Sequence, residues 1–567
     1  MNKHQIHPQK EFISIRHIVE RAAEEYADRC AFSYRVRPFD KEKVSVSYLK
    51  FRDDVRGLAS EMLARGMKGK HVVVVGKMSY DFILTYYATL LIGAVLVPID
   101  KDWSAQDIAE TAKNADIDYL FIDEESEHKS AQISEMCELG TPAVILGAEG
   151  ERSLRAMVEA GCAKFLENSK PYFEIGFDPR QLSLLVYTSG TTGKGKGVML
   201  CTDALIRDMT SVIPYIDFSL NTVSVLPPHH TYGSTVMLIA HVMIGAEVYI
   251  SDGIKYVVRE LKSEKPGHLV LVPLYLESFY RKIRANIKSQ GKEKLVRNMM
   301  KLCGFLRWAT FGLVDLRKKA FAQIRDAFGG EIKTIITGGA PINQDIISFF
   351  EGIGISVLNG YGITECSPII SVNRSRNVVR GSVGNVIDID DVKILDVNED
   401  GEGEICVKGP NVRLGYYKNE EATLEAIDEN GYFKTGDYGK LTDDGILFIT
   451  GRKKNLIILS NGKNVYPEEI ENELISVPGV QDIVVYEGQS KRGMEYNAIV
   501  AEVFPDKEYV EKNGITDVKA YLSDFVAEYN KTAVPYKKIT VLKVREEDFP
   551  KNTLRKIMRF KIDMTID

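Results

Sequence analysis

Short apolar segments that end in Gly or Pro alternate with helix-patterned segments over roughly the first 340 residues. The helix-patterned segments include residues 48–65 and 81–91. The strand-like segments are 71–76, 143–147, 182–187, 222–226, 269–273 and 333–337. This alternation predicts an α/β fold of layered, largely parallel sheets flanked by helices. In such folds ligands bind beyond the carboxyl ends of the strands.

The pattern changes near residue 392. Short alternating segments with turns follow (EDGEGEICVKG, DENGYFKTGD and TDDGILFITG), and they predict a small antiparallel β region. After Gly451 a strand, turn and helix pattern begins at LIILSNGKNVYPEEIENELI. Because 567 residues exceed what one core supports, we expect two or more domains.

Composition places the chain among ordinary globular proteins, with 44% hydrophobic and 27% charged residues. A net charge of −6 argues against a protein that coats nucleic acid, because the chain as a whole would repel the phosphates. The seven cysteines form no CxxC pair and the nine histidines show no metal-ligand spacing, so reduced, buried thiols are expected. The N-terminus has no apolar core, and the uncharged run 82–99 is interrupted by Gly93 and Pro98. These features predict a cytoplasmic chain without a membrane span.

Residues 281–330 stand out because they hold thirteen Lys or Arg against three Asp or Glu. Basic and apolar residues are interleaved in this stretch at helical spacing. One interpretation is a solvated helical insertion. The other is a surface that attracts anionic lipid head groups, as peripheral membrane contact, or an acidic carrier protein.

A loop rich in hydroxyl and glycine residues follows the apolar strand at 182–187. It contains Thr188, Ser189, Gly190, Thr191, Thr192 and Gly193, and then Lys194 and Lys196. Small residues let backbone amides close on an anion, and the lysines add positive charge for a polyphosphate. The loop lacks the GxxxxGK[ST] spacing of a Walker A motif. We therefore predict a phosphate-binding loop of another type.

This loop resembles the signature of the adenylate-forming superfamily, which includes acyl-CoA synthetases, adenylation domains and luciferases. Further resembling motifs follow in family order over about residues 15 to 562: LPPHHTYG (226–233), GGAP (338–341), GYGITE (360–365), TGD (435–437), GRKKN (451–455) and FPKNTLRK (549–556). The chain departs from the family pattern at Gly195, usually Pro, at Asn455, usually acidic, at Asn552, usually Thr, and at Arg555, usually Gly.

The resemblance implies a role for each matching residue. His230 and Tyr232 would line the carboxylate pocket. Gly339, Ala340, Pro341, Tyr361 and Gly362 would contact the nucleotide, with Tyr361 stacked on adenine. Thr364 would bond the α-phosphate, while Glu365 and Thr188 would hold Mg²⁺. Asp437 would bind the ribose and Arg452 the ribose and phosphate. Lys454 matches the hinge, Gly462 the thiol tunnel and Lys556 the catalytic lysine.

The resemblance also implies a large domain, residues 1–453, and a small mobile α+β domain, residues 454–567. It implies an ATP-dependent acid–CoA ligase that uses Mg²⁺ and CoA. GYGITECSP, VPLYLESFY, the basic stretch and the KIMR segment resemble the long-chain branch, so a medium- or long-chain fatty acid is expected. Two alternatives stay open: an acyl-ACP synthetase or stand-alone adenylation enzyme that loads a separate carrier protein, and a non-catalytic nucleotide sensor.

Overall fold

The computed structural model describes residues 4–176, 178–188, 195–459, 463–489, 498–551 and 557–566. The strands are β1 (Cys30–Tyr34), β2 (Val44–Ser47), β3 (His71–Val75), β4 (Val95–Ile99), β5 (Tyr119–Asp123), β6 (Val144–Leu146), β7 (Leu184–Thr188), β8 (Lys196–Leu200), β9 (Asn221–Ser224), β10 (Glu247–Ile250), β11 (His268–Leu271), β12 (Thr334–Thr337), β13 (Ser356–Gly362), β14 (Ile369–Val372), β15 (Gly384–Val386), β16 (Asp391–Leu395), β17 (Gly403–Lys408), β18 (Gly415–Tyr416), β19 (Phe433–Leu441), β20 (Ile446–Arg452), β21 (Ile457–Ile458), β22 (Asn464–Val465), β23 (Val480–Glu487), β24 (Ile499–Pro505) and β25 (Val541–Val544).

The α-helices are α1 (Ile15–Tyr26), α2 (Tyr48–Ala64), α3 (Tyr80–Leu91), α4 (Ala105–Asn114), α5 (Ser130–Met136), α6 (Leu154–Glu167), α7 (Lys170–Phe173), α8 (Thr202–Val212), α9 (His241–Ile244), α10 (Val257–Glu264), α11 (Pro273–Ser289), α12 (Glu293–Ala309), α13 (Arg317–Ala320), α14 (Ala322–Arg325), α15 (Gln344–Gly352), α16 (Glu420–Glu425), α17 (Pro467–Leu474), α18 (Lys507–Lys512) and α19 (Val518–Thr532). Serine is the N-cap residue of several of these helices. The side chains of Ser47, Ser79 and Ser104 each accept a hydrogen bond from the backbone N–H three residues later.

A seven-stranded sheet, in the order β18-β8-β7-β4-β3-β5-β6, forms the first layer. From β7 to β6 its strands are parallel, while β8 and β18 join antiparallel. Val72, Val73, Val74 and Val75 of β3 are all fully buried. Strands covered on both faces need such continuous apolar runs. The prediction of parallel strands at 71–76, 143–147 and 182–187 is confirmed here.

A nine-stranded sheet, in the order β11-β12-β13-β14-β15-β20-β19-β17-β16, is mixed. Only β11, β12 and β13 run parallel, and the antiparallel strands continue from β13. The antiparallel region predicted from residue 392 is therefore part of a larger sheet. At 269–273 the predicted strand was too long: Pro273 begins α11, where its missing N–H costs nothing. A third sheet has four strands, in the order β2-β1-β10-β9.

The chain from Ile457 onwards has an apolar core of its own, made by α17, α19 and the sheet β23-β24-β25. Polar contacts join it to the preceding residues. Asn343 Nδ2 donates to the Asn472 carbonyl oxygen at 2.7 Å, and the Asn455 amide donates to Glu468. An acidic residue in place of Asn455 would set two carboxylates together, so Asn455 and Glu468 are complementary.

All seven cysteines are free thiols, and Cys201, Cys303, Cys366 and Cys406 are buried, as expected. None of the helices in the described part of the chain has the length and apolar character needed to cross a bilayer. The run 82–99 forms most of α3 and then β4, both buried.

Two histidines form a buried pair, since His268 begins β11 and His241 begins α9. The Nε2 atoms of His241 and His268 lie 2.8 Å apart with their rings stacked, and the edge of Phe218 packs on both. His241 Nδ1 lies 2.9 Å from the Val236 carbonyl oxygen, so that nitrogen carries the proton. Burial lowers the pKa of His241 to about 4 and lowers the pKa of His268 well below its usual value.

We expect the protein to lose stability as the pH falls from about 6.5 towards 4. The unfolded imidazoles bind protons in this range while the folded pair stays neutral, so acid favours unfolding. For one such histidine, the free energy of unfolding falls by on the order of 3 kcal/mol as the pH reaches the lower limit of this range. The measurement is the urea midpoint against pH for the natural protein and the His241→Gln/His268→Gln variant. A variant whose midpoint falls just as steeply with acid would contradict this role.

Candidate functional site

A glycine-rich turn after β12 lies beside the glycine-rich end of β13 in the large mixed sheet. Thr337 of β12 pairs with Asn359 of β13, so the 338–341 turn and the 360–362 segment begin at the same edge. A Cβ on Gly338 would lie 3.0 Å from the Gly360 carbonyl oxygen, and one on Gly362 only 1.8 Å from the Pro368 carbonyl oxygen. Gly338 therefore lets the turn after β12 approach β13, and Gly362 lets the end of β13 approach the backbone at Pro368. Gly339, Ala340 and Pro341 are exposed beside them.

Tyr361, Asp437 and Arg452 form one hydrogen-bonded cluster at this edge. The Tyr361 hydroxyl donates to Asp437 Oδ2 at 2.7 Å, and Arg452 Nε lies 3.2 Å from Asp437 Oδ1. Asp437 and Arg452 are cross-strand partners in β19 and β20, so the sheet register places them together. Asp437 lies in the middle of β19. The cluster presents a flat ring, a buried carboxylate and a cation.

The groups of this cluster stabilise one another's protonation states. The Asp437 carboxylate raises the pKa of Arg452 further above its usual value. Burial and then Asp437 raise the pKa of Tyr361 well above its usual value, so its hydroxyl stays a donor. Asp437 is 4% exposed whereas the Arg452 side chain is 60% exposed. The arginine can therefore reach a ligand without leaving its carboxylate.

Tyr416 lies in β18, beside the strands β7 and β8 that flank the predicted phosphate loop, and it contacts the 364–365 motif. Its hydroxyl donates to Glu365 Oε1 at 3.0 Å. The Lys196 ammonium lies 4.7 Å from the ring centroid and the Arg413 guanidinium 3.9 Å from it. Since β18 pairs with β8, Tyr416 is held opposite Val198, two residues from Lys196. Glu365, Lys196 and Arg413 thus surround one aromatic ring. Sequence analysis missed Tyr416 and Arg413, which carry no local signal.

Thr188 and Lys196 face each other across the strands that flank the phosphate loop. They are cross-strand partners at the ends of β7 and β8, and the Thr188 hydroxyl lies 3.5 Å from the Lys196 carbonyl oxygen. A Cβ on Gly195 would lie 2.4 Å from the Thr188 carbonyl oxygen. Glycine at position 195, where the family usually has proline, therefore lets β8 begin close to β7. Ser189, Gly190, Thr191, Thr192, Gly193 and Lys194 lie outside the described residues.

The 3₁₀ turn that carries Thr364 and Glu365 is supported by a buried amide, which also contacts one buried and one half-buried carboxyl. Asn411 Nδ2 lies 3.1 Å from the Cys366 carbonyl oxygen and 3.0 Å from that of Ile369. It also contacts Asp208 and Asp390 at 3.3 and 3.2 Å. Burial raises the pKa of Asp390 to about 7, and burial together with Asp390 raises that of Asp208. This support sets the position of Glu365.

The histidine segment lies at the carboxyl ends of β9, β11 and β12. The Tyr232 hydroxyl is 3.4 Å from the carbonyl oxygens of both Leu271 and Ile336, and the His229 and His230 rings are 4.2 Å apart. His229 Nε2 lies 3.5 Å from Asp100 Oδ2, just beyond β4. A π-helix, Tyr232–Ala240, begins here. Such helices occur often at functional sites, and the sequence did not reveal this one.

No group of three or more His, Cys, Asp or Glu able to hold a metal ion occurs among the described residues. Within them, Glu365 Oε2 accepts no hydrogen bond, so one carboxylate oxygen is available. A Mg²⁺ ion bound by one carboxylate and by substrate phosphates fits this donor set, because Mg²⁺ keeps waters and rarely uses an all-protein cage. Lys454 is exposed in the 3₁₀ turn Lys453–Asn455. Gly462 and Lys556 lie outside the described residues.

Comparison with known proteins agrees with this architecture. A family model described as AMP-binding enzyme matches residues 19–417. The long-chain-fatty-acid–CoA ligase FadD15 of Mycobacterium bovis is 28% identical over 479 residues, which cover 79% of this chain and 76% of the relative. Long-chain-fatty-acid–CoA ligase 5 of Rattus norvegicus is 28% identical over 495 residues, covering 82% and 71%.

Among solved structures, the anthranilate CoA ligase AuaEII in complex with anthranoyl-AMP aligns with a TM-score of 0.76 at 17% identity, covering 98% of this chain and 97% of that one. The fold and the motif order define an enzyme of the adenylate-forming class. The chain belongs to the AMP-binding enzyme family.

Proposed function

We propose that this chain activates a medium- or long-chain fatty acid with ATP and Mg²⁺ as an acyl-adenylate, and then transfers the acyl group to CoA. The chain is an AMP-forming acyl-CoA synthetase, in keeping with its family and with relatives named long-chain-fatty-acid–CoA ligases.

The observation that carries this proposal is a pair of side-chain clusters, one on the nine-stranded sheet and one on the seven-stranded sheet, whose chemistry suits the two ends of a nucleotide. The Tyr361, Asp437 and Arg452 cluster offers an aromatic face for adenine, carboxylate oxygens for ribose hydroxyls and a cation. The Glu365, Lys196 and Arg413 group around Tyr416 begins only four residues from Tyr361 along the chain. A nucleotide bound to the cluster would therefore direct its phosphates towards these charges.

The first reaction brings a carboxylate to the α-phosphorus of ATP, so the chain must reduce repulsion between two anions. Lys196 and Arg413 supply fixed positive charge, and the Thr364 hydroxyl would donate to an α-phosphate oxygen. Charged and hydrogen-bonding groups that the fold already holds in position stabilise developing charge most, because they need not reorganise during the reaction. His230 and Tyr232 would orient the acid. A Mg²⁺ ion held by Glu365 and Thr188 supplies further neutralisation of the phosphates.

The second reaction needs a different arrangement, since the thiol must reach the same carbonyl carbon. We place the boundary between a 1–453 domain and a mobile 454–567 domain at Lys454, in the exposed turn after β20. Hinges of this kind are a few residues that absorb a backbone change. Rotation there would withdraw Lys556 from the nucleotide and bring Gly462 beside the arriving pantetheine arm.

The test is ATP–pyrophosphate exchange with acids of graded chain length and with aromatic acids. We expect exchange to require an added acid and to rise from short acids to those of roughly 10 or more carbons, since each buried CH₂ adds about 0.8 kcal/mol of binding. Exchange without acid, or a maximum with aromatic or short acids, would contradict a fatty-acid substrate. Absence of any exchange would favour a nucleotide sensor.

The acceptor is tested separately by following product with CoA or with an acyl carrier protein. We expect CoA to be the better acceptor. The basic stretch 281–330 is the observation that favours a carrier protein, because carrier proteins are acidic. Faster acyl transfer to the carrier than to CoA would replace the CoA ligase by an acyl-ACP synthetase.

A further inference from the structure

Helix α12 and the loop that follows it expose large apolar side chains. Leu295, Leu302, Phe305 and Trp308 on the helix are 56%, 57%, 59% and 76% exposed. Phe311 and Leu313 in the loop are 96% and 89% exposed. The Phe305 and Trp308 rings lie 6.0 Å apart, and clustered exposed apolar side chains of this kind usually mark an interaction site. These six residues form what we call the exposed face of α12.

The exposed face is not the side of α12 that packs on the protein. Val296, Met299, Met300 and Cys303 pack into the apolar core, with the Met300 side chain directly against Gly352 of α15. A helix turns about 100° per residue, which puts these residues on one side and Phe305 and Trp308 on the other. Helix α12 therefore has apolar residues on both sides, and one side is unused by the fold.

Basic side chains share the exposed face. Lys294, Arg297 and Lys301 are exposed and lie on the same side of the helix as Phe305 and Trp308. Within the described part of the chain, no carboxylate lies within 4 Å of these three cations. The wider stretch 281–330 holds thirteen Lys or Arg against three Asp or Glu in a chain of net charge −6. Positive charge is thus concentrated here.

We propose that the exposed face of α12 docks the protein on an anionic lipid bilayer, without spanning it. Aromatic and Leu side chains would enter the boundary between head groups and acyl chains, while Lys294, Arg297 and Lys301 contact lipid phosphates. Cationic residues interleaved with aromatic ones favour this occupant over a protein partner. The cores of protein interfaces are depleted in charged residues, whereas a lipid interface accommodates both kinds at once.

The buried side of α12 is linked to the 338–341 turn through the helices it packs against. Helix α11 begins at Pro273 directly after β11, and Val272 Cγ1 is 3.9 Å from the position of a Cβ on Gly339. Helix α15, on which α12 packs, begins three residues after Pro341. If the proposed function holds, docking would bring the enzyme to a bilayer in which long-chain acids dissolve. Bilayer docking itself does not depend on the acid.

The two tryptophans of the chain, Trp103 and Trp308, make docking directly observable. The Trp103→Phe variant leaves Trp308 as the one indole, and its emission is recorded as vesicles are added without ATP or acid. With vesicles of phosphatidylglycerol and phosphatidylcholine we expect a blue shift and cosedimentation, both weakened by salt. With phosphatidylcholine alone we expect clearly weaker binding.

Two variants of the full chain separate the contribution of the aromatic side chains from that of the basic side chains. Phe305→Ser/Trp308→Ser/Phe311→Ser should weaken cosedimentation by at least about tenfold. Lys294→Gln/Arg297→Gln/Lys301→Gln should weaken it and flatten its salt dependence. The matched control, Val36→Ser/Leu166→Ser/Leu220→Ser, changes three apolar residues that are 74%, 85% and 56% exposed elsewhere and should bind normally. Far-ultraviolet circular dichroism checks that each variant is folded.

The outcomes distinguish docking from its competitors. Vesicle binding that is absent, or unchanged in both α12 variants, overturns the proposal. A dimer or a complex with an acidic carrier protein that the aromatic variant abolishes, without vesicle binding, assigns the face to a protein instead. Exchange measured without vesicles, with a soluble medium-chain acid, reports on the proposed function alone, so a failure there leaves the vesicle result intact.

Discussion

Glu365→Gln should lower the rate of acyl-adenylate formation by about 10²- to 10³-fold. Glutamine has the same shape, and its oxygen can still accept the hydrogen bond that the Tyr416 hydroxyl donates to Glu365 at 3.0 Å. Only the negative charge is lost, and with it the hard anionic ligand that Mg²⁺ prefers. The measurement is ATP–pyrophosphate exchange at increasing Mg²⁺ concentration. The variant should need more Mg²⁺ and should not reach the natural rate.

Two control variants isolate the role of this charge. Tyr416→Phe removes the hydroxyl but keeps the ring between Lys196 and Arg413, so a loss of less than about tenfold is expected. Glu421→Gln removes an exposed carboxylate of α16 and should change nothing. If Glu365→Gln kept the natural rate and Mg²⁺ dependence, the metal-binding role of Glu365 would be wrong.

Lys556→Ala should lower adenylation by about 10²- to 10³-fold while leaving thioester formation from supplied acyl-adenylate nearly unchanged. The proposed lysine neutralises charge where the carboxylate meets the α-phosphate, and that charge develops only in the first reaction. The two reactions are measured separately, by exchange and by release of AMP from acyl-adenylate and CoA. The Lys531→Ala variant, at an exposed lysine of the same domain, serves as control.

The residues on both sides of Lys556 are held firmly by the C-terminal region. Phe549 is 3% exposed, and Lys551 Nζ lies 2.8 Å from Asp482 Oδ2. Lys551 pairs with Ile557 in an isolated bridge, and Arg559 forms an ion pair with Glu471. Lys556 would therefore travel with this region if it rotates about Lys454. Equal losses in both reactions would contradict a lysine that leaves the site between them.

The sequence predicted the elements whose signal is local. Buried parallel strands are continuous apolar runs, so β3, β6, β7 and β12 were predicted to within two residues at each end. The motif order likewise located Tyr361, Asp437 and Arg452, which the structure brings into one cluster. The π-helix Tyr232–Ala240 was missed because its apolar spacing differs little from that of an α-helix. Strand pairing across the nine-stranded sheet has no local signal.

The sequence alone determined several of the buried strands, the order of the motifs and the family to which they belong, because each of these depends on neighbouring residues. The tertiary structure decided which distant residues share a site. It set Tyr416 between Lys196, Arg413 and Glu365, and it paired His241 with His268. It also decided which side of α12 is buried, since only packing against α15 selects one of two apolar faces. Contacts between residues far apart in the chain depend on the whole fold and cannot be predicted from a local pattern.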